Sequence, residues 1–269
     1  MTTAYGAAPY TPAMLKADRI ARILDHVATA GSADVHQLSA LLGVSGATVR
    51  RDLQLLDEQG LLQRTHGGAV TGSVNLELPL RHRTGRRQAE KRRIALAAAG
   101  LVQEGAVVGL TGGTTVTELA RALGESRPAE RGLTVVTNAV NIAADLIVRP
   151  EIRLLVVGGT ARSASYALVG PAAEGMLTRY HLDIAFIGVD GLSATEGCTT
   201  YDEMEAATDL AFLRAAARSV VVTDSSKVGR TTFAGICPLD AIDDVVTDDA
   251  LTPEQEKSLT DAGVRVLRA

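Results

Sequence analysis

The stretch 44–70, VSGATVRRDLQLLDEQGLLQRTHGGAV, restricts this chain more than any other. Gly43 interrupts an apolar-periodic segment, and Ser45 then offers a hydroxyl cap for a helix that runs to about Gln59 and stops at Gly60. On that helix Val49, Leu53 and Leu56 face one way. Ala47, Arg51 and Gln54 face the other, flanked by Thr48 and Arg50. Segments 61–64 and 69–70 read as two short strands around a His66-Gly67-Gly68 turn. Upstream, Ile20, Ile23, Leu24 and Val27 give the stripe of a helix over 15–30, and Val35, Leu38, Leu41 and Leu42 that of a second one. Three short helices and a hairpin are the layout of a winged helix-turn-helix.

Such a layout reads DNA when its third helix carries side chains long enough to reach base edges and charges that grip phosphates. Thr48, Arg51 and Gln54 are placed to enter a groove, and Arg50, Arg64 and His66 to hold the backbone; Ser45 and Gly67 complete the expected DNA-binding set. The competing reading is a solvated face in which Arg50 and Arg51 pair with Asp52 and Asp57. The formal net charge of −4 argues against nucleic acid, yet its distribution does not. Basic residues gather at Arg50, Arg51 and Arg64 and again between Arg81 and Arg93, whereas Asp243, Asp244, Asp248 and Asp249 lie far behind.

At 269 residues the chain has room for a second, larger domain. With 3% aromatics and no Trp, its core must be Ala, Val, Leu and Ile, which suits α/β layers. Apolar runs at 106–110, 133–136, 153–157, 184–189, 220–223 and 244–247 predict strands of a buried parallel sheet. Helices are expected near 88–103, 115–123, 140–148, 171–179, 203–217 and 253–262. The expected organisation is a disordered tail over 1–14, a winged helix-turn-helix over 15–71, a linker over 72–86 and an open α/β effector-sensing domain over 87–269.

Strand ends of an open α/β sheet are where ligands bind. Thr111-Gly112-Gly113-Thr114-Thr115 follows one strand and opens a helix, so its backbone N–H groups and hydroxyls suit an anion. It is no Walker A loop, because no Gly-Lys-Ser/Thr closes it. Gly113, Thr114, Thr115, Thr137, Asn138, Gly158, Gly159, Asp190, Gly191, Glu205 and Lys227 form the expected effector set, with Lys227 a point charge for a phosphate. No metal site or cofactor is expected, since the histidines have no spaced partners; Cys198 and Cys237 read as small buried hydrophobes. The N-terminus lacks a signal-peptide pattern and no apolar run spans a bilayer, so the expected location is the cytoplasm.

The run over 44–70 resembles the N-terminal signature of DeoR-family transcriptional regulators, VS-x-x-T-[IV]-RRDL followed by G-L-L-x-R-x-HGGA. Val44, Ser45, Thr48, Val49, Arg50, Arg51, Asp52, Leu53, Gly60, Leu61, Leu62, Arg64, His66, Gly67, Gly68 and Ala69 match it. Further matches to that family's sensor domain are Glu90-Lys91-Arg92-Arg93-Ile94-Ala95, Gly113-Thr114-Thr115, Thr137-Asn138, Gly158-Gly159, Gly197 to Asp202 with Glu205-Ala206, and 224–229. The resemblance, over about 16–248, implies a sensor fold similar to ribose-5-phosphate isomerases and CoA transferases. It also implies a phosphorylated sugar effector, operator DNA as partner, a homodimer or homotetramer, and repression of a carbohydrate operon. The family often has Asp where this chain has Thr111, a departure that points to a different ligand. The rival expectation is a sugar-phosphate isomerase or acyl-CoA transferase with Asp190 or Glu205 as base.

Overall fold

The structure is a computed structural model that describes residues 14–70, 77–125 and 132–269. The residues expected to form a disordered tail therefore lie, up to residue 13, outside the described ones. The chain divides into two compact units, Met1–Leu76 and Glu77–Ala269.

In the N-terminal unit, helix α1 (Lys16–Ala30) leads into a short strand β1 (Ser32–Asp34), then α2 (Val35–Leu42) and α3 (Gly46–Glu58). Asp34 caps α2 in a capping box with Gln37. Gly43 takes φ 65°, and its N–H donates to the Ser39 carbonyl, which ends α2 and makes the tight turn. Ser45 then starts α3 by accepting from the Thr48 N–H at 3.2 Å. Ile23, Leu38, Leu53 and Leu56 are fully buried between the helices, each contributing roughly 1.5–3 kcal/mol of transfer free energy. Strands β2 (Gln63–Arg64) and β3 (Gly68–Val70) complete the unit in a sheet of order β1-β3-β2. The sequence predicts a two-stranded wing; β1 is the added strand, pairing Ser32 with Val70.

The C-terminal unit starts at Glu77, not at residue 87 as the linker expectation had it. Leu80–Arg83 forms a short helix, α4, whose Leu80 is 4% exposed and whose Leu80 N–H donates to the Ala164 carbonyl. Over 77–86 the chain packs into this unit rather than linking to it, because Glu77 and Arg83 form ion pairs inside it, while Arg81 stays exposed. After α5 (Gln88–Ala99) come β4 (Val107–Leu110), α6 (Thr114–Glu125), β5 (Thr134–Thr137), α7 (Val140–Leu146) and β6 (Arg153–Val156). A hairpin of β7 (Thr160–Arg162) and β8 (Ala167–Val169) precedes α8 (Pro171–Leu177) and β9 (Ile184–Ile187). Strands β10 (Gly191–Ser193), β11 (Gly197–Thr200) and β13 (Ala234–Cys237) form a small antiparallel sheet around α9 (Glu203–Ala215) and β12 (Ser219–Val222). The chain ends with β14 (Asp244–Thr247), α10 (Pro253–Thr260) and β15 (Arg265–Arg268).

Seven strands make one parallel sheet of order β15-β14-β12-β9-β4-β5-β6. Both faces are covered, which is why the strands are apolar runs rather than alternating ones. Val220 and Val222 pack with Ile94, Leu119 and Ile142 of α5–α7, whereas Val221 and Ile187 pack with Leu213 of α9 and Leu259 of α10. The chain runs outward from β4 to β6 and then returns to β9 on the other side of β4. The strand order thus reverses between β4 and β9, the place where open α/β sheets take their ligands beyond the strand ends.

Candidate functional site

The exposed face of α3 carries unpaired positive charge. Arg50 and Arg51 are exposed and form no ion pair among the described residues. The carboxylates that the solvated-face reading assigned to them are engaged elsewhere. Asp52 accepts from Nε and Nη2 of Arg19, and Asp57 accepts from the Arg64 backbone N–H at 3.0 Å. Thr48, Arg51 and Gln54 share one side of α3 with Glu58, beside Lys16 of α1. Gln54 donates to Glu58 at 3.0 Å, and Ser45 is occupied as the cap. Arg64, His66 and Gly67 are exposed on the β2–β3 hairpin.

In the C-terminal unit three loops converge where the strand order reverses. The first runs from Gly112 to Thr115 at the start of α6, with Gly113 at φ 118°. The second is Gly188 to Gly191 after β9. The two are in contact: the Gly188 N–H donates to the Thr111 hydroxyl at 3.2 Å, and a Cβ at position 188 would lie 2.8 Å from the Gly112 carbonyl oxygen. Thr111 thus spends its hydroxyl holding these loops together. The third is the 3₁₀ turn Ser225–Lys227 after β12, capped by Asp224. Lys227 donates to the Val189 carbonyl and lies 3.3 Å from Asp190.

Asp190 is the centre of a charge cluster. Arg83 Nη1 lies 2.8 Å from it, and Thr200 donates to it at 3.2 Å. Burial opposes its ionisation, but Lys227 and Arg83 prevail and hold the carboxyl below its ordinary range. Arg162, at the end of β7, faces Glu77, Asp202 at 3.0 Å and Glu205 at 2.9 Å. Burial, then the neighbouring Asp190, pushes Glu205 up to about 7, against the pull of Arg162. One turn further along α9, fully buried Asp209 is also raised, by desolvation and then by Glu205. Lys91 is 4% exposed and donates to the Arg83 carbonyl at 2.9 Å. Burial and then the charge of Lys227 pull it down to about 7.

Of the residues expected from sequence, Gly113, Thr114, Asp190, Gly191, Glu205 and Lys227 sit around this mouth. Thr115 is buried in the first turn of α6. Thr137 has no exposed surface, and its hydroxyl donates to the Leu110 carbonyl at 2.7 Å, tying β5 to β4. Asn138 is equally buried: its Nδ2 donates to the Leu168 carbonyl, while its Oδ1 has no partner among the described residues. Gly158 and Gly159 are exposed between β6 and β7. Sequence reasoning missed Glu77, Arg83 and Arg162. No local signal marks them, because Glu77 and Arg162 meet across 85 residues.

Two family descriptions match the chain: a DeoR-like helix-turn-helix domain over residues 19–73 and a DeoR C terminal sensor domain over 86–249. The chain belongs to the DeoR family. It is 38% identical over 256 residues to the HTH-type transcriptional regulator GlpR of Haloferax volcanii, covering 94% of this chain and 98% of that one. It is 30% identical over 244 residues to the glycerol-3-phosphate regulon repressor of Escherichia coli K12, covering 91% and 95%. Among solved structures it is similar to ribose 5-phosphate isomerase A of Methanocaldococcus jannaschii, at TM-score 0.40 and 24% identity over 52% of this chain and 54% of that one. This DeoR-family chain is a DNA-binding transcriptional regulator. The enzyme alternative falls, since relatives matched along nearly its whole length are named as regulators. No described helix is long and apolar enough to cross a membrane.

Proposed function

We propose that this regulator represses a carbohydrate-metabolism operon in the cytoplasm and leaves its operator when a phosphorylated sugar or polyol binds the C-terminal unit. The observation that carries this reading is the convergence of the Gly112–Thr115 and Gly188–Gly191 loops and Lys227 at the reversal of the sheet. The α6 start supplies N–H groups for a phosphoryl group, Lys227 a point charge, and Asp190 and Glu205 acceptors for hydroxyls. The name of the E. coli relative supports a small phosphate ester as ligand.

On the DNA side, Thr48, Arg51 and Gln54 read base edges in the major groove. Ser45, Arg50, Arg64, His66 and Gly67 hold phosphates. Paired half-sites call for at least a homodimer, and a homotetramer fits equally. The switch works only if the ligand prefers the conformer or assembly that cannot dock two recognition helices on one operator.

The test is operator-bound full-length protein, followed by fluorescence anisotropy while glycerol 3-phosphate, fructose 1-phosphate or glucosamine 6-phosphate is added. Release by one of these, but not by its unphosphorylated counterpart, is the expected result. Release by the free sugar alone, or by none, overturns the phosphosugar reading.

A further inference from the structure

Glu77 is the first residue of the C-terminal unit, yet its carboxylate is held deep in the mouth. Its Oε1 accepts from Arg162 Nη1 at 3.0 Å and from Arg83 Nη2 at 3.3 Å, and its Oε2 is bonded to Arg162 Nη2. The side chain is 9% exposed. Two carboxylate oxygens on one guanidinium fork, with a second guanidinium alongside, is the arrangement arginine offers equally to a phosphoryl group.

Charge counting limits what can join this cluster. Arg83, Arg162 and Lys227 face Glu77, Asp190, Asp202 and Glu205. Every nitrogen of Arg162 already faces a carboxylate, so a further anion on this guanidinium has to displace one of them. Three of the four are locked in place. Asp202 caps α9 through the Met204 and Glu205 N–H groups, Glu205 belongs to that helix, and Asp190 is tied to Thr200 and Lys227. Glu77 lies outside any helix or strand, directly after the connecting residues 71–76. Arg83 Nε, meanwhile, is buried without a partner among the described residues, a charged donor still open to an acceptor.

We propose that Arg83 and Arg162 form a second oxyanion subsite of this mouth, joined through Asp190 to Lys227, and that Glu77 fills it as an internal stand-in until a phosphoryl group arrives. The proposal rests on the phosphosugar reading for its natural ligand and names the residues that reading lacked. Binding expels Glu77 from the two guanidinium groups.

Calorimetric titration of the full-length protein with inorganic phosphate tests this. Glu77→Gln, which keeps the side-chain shape and removes the charge, is expected to bind phosphate at least tenfold more tightly than the wild type. Adding Arg162→Lys is expected to abolish that gain. Glu77→Asp, with its carboxylate withdrawn by one methylene, is expected to fall between, and serves if Glu77→Gln melts markedly lower. Equal or weaker phosphate affinity in both Glu77 variants overturns the subsite, as does a gain that survives Arg162→Lys or an absence of phosphate binding throughout. If Glu77→Gln gains phosphate affinity while no sugar phosphate releases the operator, the subsite stands and the phosphosugar reading falls.

Discussion

Arg19 of α1 and Asp52 of α3 form a two-point ion pair, with Nε 2.5 Å and Nη2 3.1 Å from the two carboxylate oxygens. Asp52 is 4% exposed, so this pair pins the buried side of the recognition helix while its other side stays free. Asp52→Ala leaves Arg19 partly buried and unpaired. We expect the N-terminal unit to lose about 3 kcal/mol in urea unfolding. A change below about 0.5 kcal/mol would mean that the pair only decorates the surface.

Arg50 and Arg51 are adjacent, exposed and unpaired, but they are expected to fail differently when truncated. Arg51→Ala should weaken operator binding by about 1–3 kcal/mol and relax preference at one base position. Arg50→Ala should weaken all sequences alike and reduce the slope of log K against log salt by about 1. Anisotropy titrations at several salt concentrations, on operator and scrambled duplexes, separate the two. Equal loss of sequence preference in both variants would refute the assignment.

Neighbouring glycines of the wing make a second contrast. A Cβ at Gly68 would overlap the Ala33 carbonyl oxygen and lie 2.8 Å from Asp34 Cα, whereas one at Gly67 meets nothing within 4 Å. Gly68→Ala is therefore expected to destabilise the N-terminal unit by about 2–4 kcal/mol and Gly67→Ala by under about 0.5 kcal/mol. If Gly67 faces a phosphate, Gly67→Ala melts normally and still binds operator less well. Thermal melts beside anisotropy decide it.

The Glu205 carboxyl is pushed up to about 7 by burial and then by Asp190, from an ordinary value of 4.5. A folded-state value above the unfolded one stabilises fully below pH 4.5, and that stabilisation is lost as pH rises through 7. Glu205→Gln removes this loss. It should gain about 3 kcal/mol on the wild type between pH 4.5 and 8. Parallel stability curves for the two proteins over that range would show that Arg162 keeps Glu205 ionised throughout.

Local rules made much of this molecule legible. The helix cap at Ser45 and the turn at Gly43 act within a few residues of themselves. The central strands are apolar because both faces are covered. Strand β1 escaped because Ser32, Ala33 and Asp34 carry no strand pattern; only their pairing with β3 makes them one. The small sheet of β10, β11 and β13 escaped for the same reason. In the mouth, loop glycines and Lys227 announce themselves by type and place. Thr137 has the same credentials, but its hydroxyl is spent on Leu110 within the sheet. Glu77 and Arg162 look like solvated charges until the fold brings them together.

The register of the two sheets also sets an order of events during synthesis. The wing closes once Ser32 can find Val70, whereas the central strand β4 cannot find β9 until Val108 meets Ile184. Loops that long delay pairing, and domains near the N-terminus fold first as the chain emerges. The DNA-reading unit is therefore finished while its sensor is still being made. A transcript cut short within the second unit would leave the DNA-reading unit without the domain through which we propose it is released.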